Sequence, residues 1–281
     1  MLANWPLDPL VVSGLLVAGI AYVRADRRVR GGRRGRPLRR RAFLAGLAVV
    51  FAALQSPIDA GAATSFAVHM VQHLLLTMVA APLLVLGAPV TLALQAAIPQ
   101  RRRRLLSALH SAPVRLLSAP VAAWSLFVVV LWGTHFTALY ELTLRSPGIH
   151  ALEHLAYLTT AVIFWIPVVG LDPAPSGLSH PARILYLFLA MPAMAFLGLA
   201  LFSANRALYP TYAAIEGASR ALADQRLAGA LMWTGTMFLI VPALGFVLLD
   251  WMRADDRLAR RIDQRLQRSH APVVAGERPM P

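Results

Sequence analysis

Apolar residues fall into blocks near 6–23, 42–60, 66–87, 119–138, 149–170, 184–203 and 228–250, with polar or Arg-rich segments between them. A helix needs roughly 20 residues to cross the hydrocarbon core of a bilayer, and each block is close to that length. The pattern predicts an all-α membrane protein, a bundle of about seven transmembrane helices. Its domain organisation follows: a transmembrane domain over 1–252 and a basic tail over 253–281, whose Pro- and Gly-containing end is expected to be disordered. The longest connection, Ala204 to Leu227, contains Tyr209-Pro-Thr-Tyr and Asp224-Gln225. It is expected to hold a short helix lying along the membrane interface. The first block has no basic segment before it and no small-residue cleavage site after it, so it reads as a retained helix rather than a signal peptide.

Composition agrees with the pattern. The chain is 58% hydrophobic and 14% charged, with a mean hydropathy of +0.60, whereas soluble domains carry about one quarter charged residues. All 27 basic residues are Arg and the net charge is +14. An excess of that size can mark a nucleic-acid partner. Here the Arg residues sit between apolar blocks, where the positive-inside rule and anionic lipids at the cytoplasmic face account for them, and no nucleic acid is expected. Twenty-three of the 27 fall in the odd-to-even connections and the C-terminal tail, leaving Arg145, Arg206, Arg220 and Arg226 on the other side. This asymmetry predicts the N-terminus outside and the C-terminus in the cytoplasm. The chain has no cysteine, which excludes disulfides, thiolate metal sites and thiol nucleophiles. Imidazole, thioether and carboxylate remain as metal ligands.

On this topology the eight histidines divide. His110, His180 and His270 fall in cytoplasmic segments and read as solvated surface. His69, His73, His135, His150 and His154 fall at one membrane level, near the outer ends of the third, fourth and fifth blocks. His69/His73 and His150/His154 are i,i+4 pairs, each on one helical face and able to chelate one ion. Polar residues inside a membrane tend to face the bundle interior and to serve function. The five imidazoles predict a shared metal or haem site, against a purely structural hydrogen-bonded cluster. Imidazole suits copper, zinc, iron or nickel, and methionine adds a preference for Cu(I). Met70, Met191, Met194 and Met232 are available, but Met is a common gap-filler and each reads first as packing. Asp224 is either a ligand, a partner that fixes an imidazole tautomer, or the N-cap of the last helix. His150-Ala-Leu-Glu-His154 matches the H-x-x-E-H pattern of inverted zincins. It opens an apolar helix in a chain with no soluble catalytic domain, so Glu153 reads as a supporting carboxylate.

These residues resemble the CtaG family, of the Bacillus type, of membrane assembly factors for haem–copper oxidases. The resemblance rests on His69-Met-Val-Gln-His73-Leu-Leu-Leu, Pro82-Leu-Leu-Val-Leu-Gly-Ala-Pro89, Trp132-Gly-Thr-His135 to Tyr140, His150-Ala-Leu-Glu-His154, and Asp224-Gln-Arg-Leu-Ala-Gly229 with Met232-Trp233. It covers roughly residues 40–252 and departs from the family where Thr137 and Ala138 follow His135 in place of an expected Pro. It implies seven helices and a non-catalytic role in forming active cytochrome c oxidase through its copper centre, with an oxidase subunit as partner. His69, His73, His135, His150, His154 and Asp224 are the matching positions. The expected protein is thus a copper-handling assembly factor in a bacterial plasma membrane. The alternatives are a bis-His haem protein or a copper transporter, and zinc is a lesser metal candidate.

Overall fold

The computed structural model describes residues 7–29, 36–173 and 177–270, and among these every regular element is a helix. Capping and proline set where the helices begin. In α1 (Pro9–Arg28) the Asp8 carboxylate accepts from the N–H of Leu10, and Pro9 lacks only an N–H that would have no helical partner there. The same device opens the short α3 (Pro57–Ala62) behind Ser56. Between them runs α2 (Arg36–Leu54). The Ser65 side chain caps α4 (Phe66–Leu74), which continues into a π-helical stretch over Leu75–Ala80. After it come α5 (Ala81–Leu86) and α6 (Pro89–Ala96). Ala88, between these two, takes a left-handed φ of 48°.

A basic connection follows, α7 (Pro99–Leu109) and α8 (Ala112–Leu117). Next are α9 (Pro120–His135) and α10 (Ala138–Arg145), bent by 70° at their junction. The remaining elements are α11 (Pro147–Val169), α12 (His180–Phe202), the short α13 (Pro210–Glu216) and the long α14 (Ala218–His270).

Five helical stretches are long and apolar enough to cross a membrane: α1, the composite α4–α6 over Phe66–Ala96, α11, α12 and α14. The bent α9–α10 pair makes a sixth if it counts as one span. Where the sequence pattern predicts seven, the shortfall lies at its second block, 42–60. Four of the first six residues of α2 are Arg, and the chain breaks at Ser56-Pro57 to start α3, so the uninterrupted apolar run is shorter than a span. The fourth block, 119–138, is likewise not one straight helix, because it turns after His135. The expected short helix in the 204–227 connection is α13, but from Ala218 that connection already belongs to α14. The same helix continues through residues 253–270 of the expected tail, and residues 271–281 lie outside the described residues.

Phe127, Tyr140, Tyr157, Phe164, Leu187 and Leu197 are almost fully buried at the centre of the molecule, whereas Leu10, Val121 and Phe238 are 79–80% exposed. Large apolar side chains on the outside suit a lipid environment. α12 and α14 approach at a glycine contact. A Cβ on Gly198 would lie 2.6 Å from the Gly229 carbonyl oxygen, and one on Gly229 would lie 2.5 Å from that of Gly198. Absent side chains let helix backbones pack this closely in lipid. At the other end of these helices, His180 Nε2 stands 3.2 Å from Asp250 Oδ2, with Arg183 also at that carboxylate. His180 is therefore paired rather than simply solvated.

Candidate metal centre

The site is built at the end of the bundle where α4 and α11 begin and α9 finishes. α4 supplies His69 and His73. Its first turn is held by a residue remote in sequence: Asp224 of α14 accepts from Ser65 Oγ at 3.0 Å and from the N–H groups of Phe66 and Ala67 at 2.6 and 3.2 Å. A carboxylate there satisfies otherwise orphaned donors and complements the helix dipole. Asp224 thus caps α4 and not, as one sequence reading has it, its own helix. At the far end of the pair, Thr77 Oγ1 donates to the His73 carbonyl, within the π-helical stretch. Such wide turns recur at functional sites.

α11 supplies His150, Glu153 and His154 from its first two turns. The imidazoles of the two helices interleave. His69 Nε2 and His150 Nε2 are 3.2 Å apart, and the ring centroids of His73 and His154 are 5.5 Å apart. Glu153 Oε2 lies 3.9 Å from the Nε2 atoms of both His69 and His73. Two sets of three donors have ligand atoms within 4.8 Å of one another: His69, His150, His154, and His69, His73, Glu153.

The surroundings fix how His69 is presented. Its Nδ1 is 3.0 Å from the Tyr212 hydroxyl and 2.9 Å from that of Tyr140. Tyr212 donates its single proton to the Ala62 carbonyl at 2.8 Å, so toward His69 its oxygen can only accept, whereas the Tyr140 hydroxyl can donate to or accept from Nδ1. With Nδ1 protonated, the Nε2 lone pair faces the cluster, the arrangement usual for imidazoles that bind metal. Tyr140 is brought over the site by the 70° turn between α9 and α10, and Tyr212 comes from α13.

Several polar atoms at the centre are buried without a hydrogen-bond partner: Nδ1 and Nε2 of His73, Nε2 of His154, and both carboxylate oxygens of Glu153. Buried polar groups are almost always paired, and each orphan costs roughly 1–3 kcal/mol. With neutral rings and an ionised carboxylate, up to four of the five offer lone pairs, because one nitrogen of His73 carries a proton. Such a donor set fits a cation bound among them.

A cleft of about 550 Å³ reaches the cluster beside His150 and His154, with Asp8, Gln55 and Asp59 on its wall. Gln72 Nε2 donates to Asp59 Oδ1 at 2.7 Å.

Of the six residues singled out from the sequence, the structure gathers His69, His73, His150 and His154. It places His135 beside them, its ring centroid 6.3 Å from that of His73, with Nε2 turned to Met70 Sδ at 3.3 Å. His135 and Asp224 belong to neither donor set. Sequence reasoning gave Glu153 only a supporting role. Its position three residues after His150 is the signal that puts it on the same helical face as that imidazole. Tyr212 was not found, because its link to His69 depends on how α13 folds back. His110 is exposed, its Nδ1 2.7 Å from the Leu106 carbonyl of its own helix, and the side chain of His270 lies outside the described residues.

Described residues whose regular elements are all helices, several of membrane length, around a buried cluster of imidazoles define the class of multi-pass membrane proteins with an internal polar site. Residues 20–254 match the cytochrome c oxidase caa3 assembly factor family (Caa3_CtaG), and the chain belongs to that family. An uncharacterized protein of Mycobacterium leprae is 32% identical over 95% of this chain and 42% of its own length. Uncharacterized proteins of Mycobacterium bovis and Mycobacterium tuberculosis are each 31% identical, over 96% of this chain and 43% of their own. The chain thus spans less than half the length of these curated relatives. No solved structure matches it.

Proposed function

We propose that this protein is a non-catalytic assembly factor of a bacterial plasma membrane. It accepts copper at the outer face, holds it among His69, His73, His150, His154 and Glu153, and passes it to a subunit of a haem–copper cytochrome c oxidase. The observation that carries this reading is the set of buried, unpartnered nitrogen and oxygen atoms on His73, Glu153 and His154, in a family described as assembling the caa3 oxidase. Copper is the cargo and imidazole is a ligand it favours over most divalent competitors. The finer topology belongs to the same reading: α2 and the bent α9–α10 pair each complete a crossing to give seven, and the Arg-rich ends lie in the cytoplasm against anionic lipid. The 3.2 Å between His69 Nε2 and His150 Nε2 weighs against a bis-His haem, since two metal–nitrogen bonds of about 2 Å in line need about 4 Å.

The test replaces His73 or His154 by Ala in the full chain. Both variants should accumulate in the membrane, because each leaves only a modest cavity. Purified, they should carry much less copper than the parent, and none of the proteins should show a Soret band. Cells carrying them should lose oxidase activity and regain part of it with added copper, since mass action fills a weakened site. Full copper content and full oxidase activity in the His73→Ala protein would refute the reading.

A further inference from the structure

We infer that the molecule has a second metal site, for monovalent copper, in the methionine-lined cavity directly beneath the imidazole cluster. The cavity holds about 20 Å³ and is bordered by Met70, Met78, Met194, Met232 and His73. That volume is enough for one water-sized occupant. Four of the chain's nine methionines meet there from α4, the π-helical stretch, α12 and α14, and each is no more than 6% exposed. Gap-filling explains a buried Met one at a time, but two neighbouring imidazoles point to a ligand.

The first is His73, which borders the cavity with both ring nitrogens unpartnered. The second is His135. Its Nδ1 lies 2.7 Å from the Leu131 carbonyl oxygen, which can only accept, so Nδ1 carries the proton. In the neutral ring Nε2 then offers a lone pair, and 3.3 Å away stands Met70 Sδ, which has lone pairs of its own and no proton to give. Two Lewis bases facing each other in a dry core repel unless a cation lies near both. Thioether and imidazole donors without carboxylate select a soft, singly charged ion, which is Cu(I) rather than zinc or divalent copper. The cluster above, with Glu153 among its donors, is harder. The two sites share His73, so an ion could move between them without crossing apolar space.

This inference does not require that the upper cluster carry copper. The test loads the full-length protein with Cu(I) under anaerobic, reducing conditions and reads copper-edge X-ray absorption, with a chromophoric Cu(I) chelator as competitor. The parent should show sulfur bound directly to copper. The Met194→Leu/Met232→Leu protein, close to the parent in side-chain volume, should show a reduced sulfur signal and yield Cu(I) to at least tenfold less chelator. Met191→Leu, a methionine of the same helix that does not border the cavity, should behave as the parent. A His150→Ala/His154→Ala protein should keep the sulfur signal. Only nitrogen and oxygen around copper in the parent would overturn the inference, whatever the upper cluster binds. Sulfur ligation in a chain whose His73→Ala variant retained full copper and oxidase activity would instead refute the proposed function and leave this site standing.

Discussion

Asp224 shows how a single carboxylate can govern a site it does not enter. Its three acceptor contacts hold the first turn of α4, two to four residues before His69. Replacing Asp224 by Ala should remove an N-terminal cap and cost about 1–2 kcal/mol of stability. It should also weaken copper binding moderately, because the first turn that aims His69 loosens. Thermal unfolding read beside metal content separates the roles. A loss of metal with unchanged stability would make Asp224 a ligand, whereas a coupled, partial fall in both is the outcome for a cap. Asp224→Asn, which keeps one acceptor oxygen, should fall between. The sequence placed Asp224 among the motif residues but left its role open, because capping of a remote helix depends on which two helix ends meet.

The i,i+4 pairs of α4 and α11 were legible from spacing alone, since 3.6 residues per turn puts both members of each pair on one face. Other features of the elements were not. The fourth apolar block reads as one span, yet α9 stops at His135, and Thr137 caps a new helix by accepting from the N–H of Leu139. The resulting 70° turn carries Tyr140 to His69. Nor does hydropathy report the glycine contact of α12 with α14. Gly229→Ala would push a methyl group into the Gly198 carbonyl at 2.5 Å and into the backbone of Phe202, so the helices must separate. The expected result is a sharply lowered membrane yield and melting temperature, measured by detergent thermal shift. Gly245→Ala, where no atom lies within 4 Å of the added carbon, should be neutral or slightly stabilising, because Ala is the better helix former. Equal behaviour of the two would contradict the close packing.

Across the whole molecule, the Arg asymmetry predicts that the imidazole cluster faces outward. An enzyme reporter active only outside the cytoplasm, fused after Arg253, should be silent, and one placed in the loop at Ser146 should be active. The reverse result would put the cluster on the cytoplasmic side and remove delivery from outside. Apolar blocks and clustered Arg residues were enough to establish a helical membrane protein from the sequence, since a chain in lipid must pair its backbone groups internally and keep its charges at the ends. The histidine spacings were enough to nominate four of the residues around the cluster. Only the tertiary structure decided that Glu153 joins them, that His135 turns aside to Met70, that Tyr212 meets His69 and that Asp224 caps α4. Each depends on contacts between residues from 65 to 159 positions apart or, for Glu153, on the facing of α11 toward α4. Local periodicity fixes which side of a helix is polar, but packing alone chooses what that side meets.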